Sequence, residues 1–341
     1  MPHNIVHATL SLIFLASSTL SATELRVVCS VPDLADLVRQ VGGDAVEVEA
    51  IARPGDNPHF ISARPSYVRS LADADAFVVV GMDLEVGWAP ALVRSARNNR
   101  VRPGRPGYIE CSAAIEALEV PDGTIDRSQG DVHPHGNPHY LLSPRNGIQV
   151  LGLLGDRLAA LDPERADDYR THAASAAERL AIALYGPDLV AAHAVADLVR
   201  WQGEGVLREH VDPTAIGGWL ARMAPLAGSA WIDDHAQWPY LADCYDLRIV
   251  AHLEPKAGVP PSSAHLQGLV ALAGERSIAG ILTAPWFDPR HARSVAEATG
   301  LPVVPVAHQV GARADTDTYH HLCEQHVTAL TAVLLRDEQG P

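Results

Sequence analysis

The chain has 341 residues, of which 47% are hydrophobic and 20% charged, and 41 acidic against 26 basic side chains give a formal net charge of −15. This composition is that of a globular protein, and the length suits two lobes with separate cores better than one ordinary domain. The negative charge argues against nucleic acid or an anionic membrane as a partner and favours cations.

The first 22 residues are predicted to be a secretory signal peptide. Residues 8–16 (ATLSLIFLA) are apolar, and small residues follow them before the polar Thr23 and Glu24. This is the pattern of a signal peptide, with the departure that no Lys or Arg precedes the apolar run, which is too short to span a bilayer. We expect cleavage after Ala22. Cys29 lacks the small residues that precede a lipidated cysteine, so we expect a soluble periplasmic protein without a lipid anchor.

Short β-rich runs alternate with helical patterns in residues 23–162, which we assign to an N-terminal α/β lobe. The predicted strands are Leu25–Ser30, Val46–Ile51, Ala76–Val80 and Tyr108–Cys111. The clearest helical patterns between them are Asp33–Val41 and Trp88–Ala96. This alternation is typical of a parallel sheet with covering helices.

Two long helical patterns follow Pro144, at 146–161 and 163–185, and both are rich in Ala, Leu, Arg and Glu. Asp162 followed by Pro163 is typical of a helix start. A helix of about 22 residues would span about 33 Å. We therefore assign residues 163–190 to one rigid linker helix between two lobes.

The alternation of strands and helices resumes in residues 191–341, which we assign to a C-terminal α/β lobe. The predicted strands are Ala230–Asp233, Arg248–His252, Gly280–Thr283 and Pro302–Val306. The predicted helices are Trp238–Tyr245, Ser263–Ala273, Pro289–Thr299 and Thr318–Leu335. The predicted fold is thus α/β, with two similar lobes, each a parallel sheet with flanking helices, joined by one long helix.

Four cysteines, Cys29, Cys111, Cys244 and Cys323, allow three disulfide pairings in an oxidising compartment. Their spacing does not fit Cys-x-x-Cys zinc sites. The pairs Cys29–Cys111 and Cys244–Cys323 would keep each disulfide within one lobe. Free buried thiols are the alternative.

Two histidines, His59 and His139, lie in the same phrase, Asn-Pro-His-aromatic, 80 residues apart. Proline fixes its own φ and pushes the preceding residue towards extended conformations, so each histidine leaves a stiff loop. Zinc favours neutral imidazole nitrogen and takes four ligands. The repeated phrase therefore predicts a metal site that needs two further donors.

His235 and Asp317 are the candidates for these two donors. His235 directly follows the predicted strand Ala230–Asp233, and the carboxyl ends of strands are where open α/β sheets bind ligands. Asp317 precedes the last long helical pattern. For both residues, helix capping is the alternative role.

Five passages in order along the chain resemble the periplasmic solute-binding proteins of zinc and manganese ABC transporters, the cluster A-I metal-binding class. They are Pro54–His59, Asn137–Pro144, Asp234–Val250, Glu254–Ser262 and Asp317–Tyr319. The resemblance implies two lobes joined by a long helix, with a metal ion bound between them. It implies His59, His139, His235 and Asp317 as the ligands, with Asp315 as the alternative to Asp317.

A histidine at position 235 favours zinc over manganese, because manganese prefers more oxygen ligands and a higher coordination number. His133 and His135, shortly before His139, are interpreted as an accessory metal-collecting loop. A loop without a role in metal binding is the alternative.

The predicted function is capture of Zn²⁺ between the lobes and its delivery to an ABC permease of the inner membrane. Docking is expected to be transient, the protein a monomer, and a periplasmic metallochaperone a further partner. Affinity is expected to weaken below about pH 6, because imidazoles with a pKa near 6.5 become protonated.

The alternatives are a manganese-binding transporter component, a secreted zinc-dependent hydrolase and a surface adhesin. A hydrolase needs an open coordination position and a general base. The sequence contains no His-Glu-x-x-His, Gly-x-Ser-x-Gly or Gly-x-x-x-x-Gly-Lys motif, so an enzyme is not expected.

Overall fold

The computed structural model describes residues 24–121, 133–256 and 259–337. Within them, each half of the chain forms one four-stranded sheet. The predicted signal peptide, residues 1–22, lies outside the described residues. None of the helices in the described ranges has the length and apolar character needed to cross a membrane.

The first lobe is a parallel sheet whose strands run in the order β2-β1-β3-β4. The strands are β1 (Leu25–Cys29), β2 (Val46–Ala50), β3 (Ala76–Val79) and β4 (Tyr108–Glu110). The helices are α1 (Pro32–Gly42), α2 (Pro65–Asp73) and α3 (Ala89–Ala96). All four predicted strands are present, and β3 is buried along its whole length.

Two long helices, α4 (Pro144–Leu161) and α5 (Ala166–Tyr185), connect the lobes. At 20 residues, α5 spans about 30 Å. It does not continue to residue 190 as predicted, because Gly186 has a φ of 91° and Pro187 begins a new helix. A positive φ of this size favours glycine and ends the helix.

The second lobe repeats the strand order of the first, as β6-β5-β7-β8, again with every pair parallel. The strands are β5 (Ala230–Asp233), β6 (Arg248–His252), β7 (Ile278–Thr283) and β8 (Val303–Pro305). The helices are α6 (Pro187–Ala192), α7 (Val195–Gly203), α8 (Leu207–His210), α9 (Gly218–Met223), α10 (Pro239–Tyr245), α11 (Ser263–Glu275), α12 (Pro289–Thr299), α13 (Tyr319–Thr331) and α14 (Leu334–Asp337). The predicted fold of two similar α/β lobes is confirmed.

Tyr319, the first residue of α13, joins the second lobe to the first. Its side chain is buried, and its hydroxyl donates to the carbonyl oxygens of Leu141 at 2.6 Å and Ser143 at 3.1 Å. Its backbone N–H donates to Asp36 Oδ2 in α1 at 2.9 Å. These hydrogen bonds hold the start of α13 against the segment that contains His139.

The predicted disulfides are absent, since all four cysteines are buried and free. Cys29 ends β1 and Cys111 follows β4, with β3 between these two strands. Two strand spacings are about 10 Å, which exceeds the Cα separation of about 7 Å that a disulfide can bridge. The Cys244 thiol lies 3.6 Å from Gln202 Nε2. The structure therefore agrees with the alternative of buried free thiols.

Candidate metal centre

His59, His139 and His235 line one cleft between the lobes, with a volume of about 480 Å³. His133, His252 and Glu254 line the same cleft. The first lobe contributes the two Asn-Pro-His loops, and the second contributes the carboxyl ends of β5 and β6. The cleft thus lies at the strand ends, where open α/β sheets bind ligands.

The two Asn-Pro-His loops have the same local structure. In the first, Asn57 Oδ1 accepts the backbone N–H of His59 at 3.0 Å, and in the second, Asn137 Oδ1 accepts that of His139 at 3.0 Å. Such turns, in which an asparagine side chain accepts from the backbone two residues on, fix the chain direction locally. The repeated phrase therefore encodes one turn that is used twice, each time to present a histidine.

Asn137 also connects its loop to the second lobe. Its side-chain amide donates to the carbonyl oxygen of Ala236 at 2.8 Å and to Glu119 Oε2 at 2.9 Å. Ala236 directly follows His235 along the chain. The loops that carry His139 and His235 are thus in direct contact across the cleft.

The imidazoles of His59 and His139 are already close enough to share one ion. Their Nε2 atoms lie 3.2 Å apart, and their ring centres 5.1 Å apart. Two nitrogens bound to a tetrahedral zinc at about 2.0–2.1 Å lie about 3.3 Å from each other. The pair has the nitrogen separation that zinc requires.

Both imidazoles are in the neutral state that metal binding requires. Burial, together with the nearby His235, lowers the pKa of His59 to about 4. Burial and the neighbouring histidines, His308 first among them, hold the pKa of His139 well below its ordinary value of 6.5. At pH 7 a lone pair is therefore available on each ring.

Asp234 holds the loop that carries His235. Its side chain is 1% exposed, and Oδ1 accepts the backbone N–H of His235 at 2.8 Å, the amide of Gln237 at 2.9 Å and the indole N–H of Trp238 at 3.0 Å. Its Oδ2 accepts the backbone N–H of Ala284. With both oxygens occupied, Asp234 positions its neighbour rather than binding an ion itself.

The structure does not bring Asp317 to these histidines. Its side chain is 73% exposed, and Oδ1 lies 2.5 Å from Nδ1 of His321 on α13. Asp315, the alternative, is also exposed and pairs with Arg313 at 3.4 Å. Neither carboxylate lines the cleft. The fourth ligand that the resemblance implied is therefore not supported by the geometry.

His308 lies next to the cleft residue His139 and was not identified from the sequence. It lies in the segment after β8, is 6% exposed, and its ring centre is 5.0 Å from that of His139. The available signal was its position shortly after a predicted strand, Pro302–Val306, which is the same signal that identified His235. The family resemblance of the nearby passage Asp317–Tyr319 led instead to the assignment of Asp317 as the fourth ligand.

The two residues of the proposed accessory loop are separated in space. The ring of His133 lies 5.1 Å from that of His59, inside the cleft. His135 is 73% exposed, and its Nε2 lies 3.9 Å from Asp83 Oδ2. Residues 131 and 132 of this loop lie outside the described residues. Of the two, only His133 adjoins the cleft histidines.

Within residues 24–121, 133–256 and 259–337, no three His, Cys, Asp or Glu side chains are close enough together to hold a metal ion as they stand. The His59–His139 pair is in place, so binding requires a third donor to turn towards it. The cleft is thus arranged as two fixed ligands with further imidazoles nearby.

The chain is similar to proteins that are named for metal binding or metal transport. A family model described as zinc-uptake complex component A, periplasmic (ZnuA), matches residues 27–183 and 219–333. The manganese ABC transporter substrate-binding lipoprotein PsaA of Streptococcus pneumoniae is 30% identical over 167 residues, which cover 48% of this chain and 50% of PsaA. The zinc-binding lipoprotein AdcA of S. pneumoniae is 23% identical over 331 residues, 93% of this chain and 57% of AdcA. The chain thus spans about half the length of these relatives.

The fold is shared with solved structures. A metal-free mutant of a periplasmic metal binding protein from Candidatus Liberibacter asiaticus superimposes with a TM-score of 0.67 at 17% identity, covering 91% of this chain and all (100%) of that one. At this identity the likeness concerns the fold alone.

Proposed function

The chain belongs to the ZnuA family of zinc-uptake complex component A proteins, whose model matches both lobes, and we propose that it captures Zn²⁺ in the interlobe cleft and delivers it to an ABC-type permease. The observation that carries this proposal is the His59–His139 pair. Two matching turns hold neutral imidazoles with 3.2 Å between their Nε2 atoms. The relatives named above are substrate-binding and zinc-binding proteins, which favours a binding protein over a hydrolase.

The donor atoms favour zinc over manganese. The named relatives include both a manganese protein and a zinc protein, so the choice of metal depends on this chain's own side chains. Imidazole suits zinc, whereas manganese prefers carboxylate, carbonyl and water oxygen. His59, His139 and His235 all line the cleft, and Asp317 lies outside it.

We place the protein in the periplasm, where it docks transiently on the permease as a monomer. The family description is periplasmic. Several relatives are named as lipoproteins, but Cys29 is fully buried at the end of β1 and therefore has no exposed thiol for a lipid. Loading by a metallochaperone remains a prediction from the sequence.

The proposed function is tested by titrating the metal-free protein with zinc and with manganese, while native mass spectrometry counts the bound ions. We expect one tightly bound zinc per chain and manganese bound about 100-fold more weakly or worse. Tight manganese with weak zinc would support the manganese alternative. If neither metal binds with a stoichiometry of one, the capture function is wrong.

Zinc affinity is expected to stay nearly constant from pH 7.5 to about 5.5, and to fall only below about pH 5. The pKa of His59 is lowered to about 4 and that of His139 lies well below 6.5, so protons compete with the metal only at lower pH than for a free imidazole. This replaces the expectation of weakening below about pH 6. Calorimetry across this range tests it, with a peptide of residues 133–140 as the control that should weaken near pH 6.5. A tenfold loss in the protein between pH 7 and 6 would contradict the buried, neutral pair.

A further inference from the structure

His308 is a buried imidazole, and among the described residues neither of its two ring nitrogens has a hydrogen-bond partner. The residue is 6% exposed, and neither Nδ1 nor Nε2 makes a hydrogen bond in the part of the chain that the structure describes. His326, also buried, differs, because its Nε2 lies 2.7 Å from the carbonyl oxygen of Ala307. Burial of an imidazole without partners is unfavourable, so the position of His308 requires an explanation.

The position of His308 is fixed by its neighbours. The backbone of Ala307, the preceding residue, is held on both sides, by Gln325 Oε1 accepting from its N–H at 3.0 Å and by His326 at its carbonyl. The ring itself lies against Trp286 and Trp238, at centre distances of 4.5 Å and 5.6 Å. The two indoles thus confine the ring on these sides, and the imidazole of His139 lies on another.

The ring of His308 has the same spacing from His139 as His59 does. The ring centres are 5.0 Å apart for His139 and His308, and 5.1 Å apart for His59 and His139. Imidazoles bound through nitrogen to one tetrahedral zinc have ring centres about 5 Å apart, given zinc–nitrogen distances of about 2.0–2.1 Å. His139 therefore has a suitably spaced imidazole on two sides.

We propose that His308 is the fourth ligand of the captured metal, so that four imidazoles and no carboxylate hold the ion. This inference rests on the proposed function and replaces Asp317 in the ligand set. The first lobe then contributes His59 and His139 from its two Asn-Pro-His loops, and the second contributes His235 and His308, which follow β5 and β8 along the chain. The metal joins the two lobes through two ligands on each side.

A shell of four neutral nitrogen ligands has a consequence for selectivity. Because it offers no anionic oxygen, it suits zinc and is poor for manganese, which prefers oxygen ligands. Trp286 and Trp238 form a wall beside His308, so the oxygen of water has little access on that side. His308 is thus the residue that sets the preference for zinc over manganese.

The test combines a crystal structure of the zinc-loaded protein with zinc and manganese titrations of three variants, H308A, H308D and the control D317A. We expect a nitrogen of His308 within about 2.1 Å of the zinc. H308A should weaken zinc binding about 100-fold. H308D should retain zinc within about tenfold but bind manganese at least about tenfold more tightly than the original chain, because it supplies an anionic oxygen. D317A should bind both metals like the original chain.

The crystal structure and the titrations distinguish a wrong role for His308 from a wrong proposed function. A zinc bound in the cleft by His59, His139 and His235, with water or a carboxylate in the fourth position and His308 more than about 3 Å away, would overturn only the role of His308. Weakened zinc binding in D317A would also overturn it, in favour of Asp317. If the original chain binds no zinc, both proposals are wrong. The crystal structure needs no variant, so a misfolded H308A cannot obscure the result.

Discussion

Replacement of His139 by alanine is expected to lower zinc affinity by about 100-fold or more. The free energy of binding zinc to four protein ligands is about 10–16 kcal/mol, so one ligand contributes about 3 kcal/mol, which corresponds to a factor of about 100. His139 is the central residue of the cluster, since its ring lies beside those of both His59 and His308.

The matched control for this prediction is His321→Ala. His321 is a histidine whose side chain is 53% exposed, pairs with Asp317, and lies outside the cleft. We expect its replacement to change zinc affinity less than about threefold, because exposed pairs contribute little. Competition with a zinc chelator measures both variants on one scale. Equal losses in the two variants would mean that zinc binds at the surface, and no loss in either would exclude His139 as a ligand.

The strands and helices were largely predictable because their signals are local. Ala230–Asp233 and Arg248–His252 were predicted at their observed bounds. The bounds of α12 were also predicted as observed. Asp288 caps its start by accepting the N–H of Arg290, and Gly300, with a φ of 77°, follows its end. A cap and a terminal glycine identify helix ends without any knowledge of the tertiary structure. The linker helix was predicted too long because Gly186 was not read as its end.

The metal site was predictable only where its geometry is encoded locally. His59 and His139 could be found because each turn is built from its own asparagine and proline. Asp317 has no such local signal, and the passage that contains it has a structural role. Thr318 caps α13 by accepting the N–H of His321 at 3.1 Å, and Tyr319 anchors that helix to the first lobe.

The proximity of His308 to His139 and the pairing of the cysteines depend on distances between residues far apart in the sequence. Local sequence patterns do not predict such distances. Whether His308 reaches His139 is decided by the way α13 and the second lobe lie against the first, not by residues near position 308. In the same way, Cys29 and Cys111 were assigned to one lobe correctly, but the sequence did not show that β3 separates their strands. Contacts of this kind follow from strand order and packing rather than from local pattern.

Gly147→Ala is expected to destabilise the metal-free protein by about 3 kcal/mol. A Cβ at position 147, on α4, would lie 2.3 Å from Cε1 and 2.7 Å from the hydroxyl oxygen of Tyr319. Such overpacking typically costs about 1–3 kcal/mol. Tyr319 cannot move aside freely, because its hydroxyl donates to Leu141 and Ser143, and a lost hydrogen bond costs about 1 kcal/mol more.

Gly152→Ala, on the same helix, is the matched control, because a Cβ there would meet nothing within 4 Å. We expect it to stabilise the protein by about 0.5–1 kcal/mol, since alanine is the better helix former. Urea unfolding measures the free energy of unfolding of both variants, which should be lowered in G147A and raised in G152A. If both glycine variants gain stability, the Tyr319 ring is not fixed.

The steric conflict between an added Cβ at position 147 and Tyr319 is also expected to alter the geometry of the metal site. The hydroxyl of Tyr319 donates to the carbonyl of Leu141, two residues after His139. Tyr319 also begins α13, the helix whose Gln325 and His326 hold the backbone of Ala307, the residue before His308. A tyrosine ring displaced by the added methyl group therefore shifts α13 relative to His139 and changes the spacing of the two imidazoles. We expect G147A to weaken zinc binding and G152A to leave it unchanged, because only the first glycine makes room for the residue that aligns the two lobes.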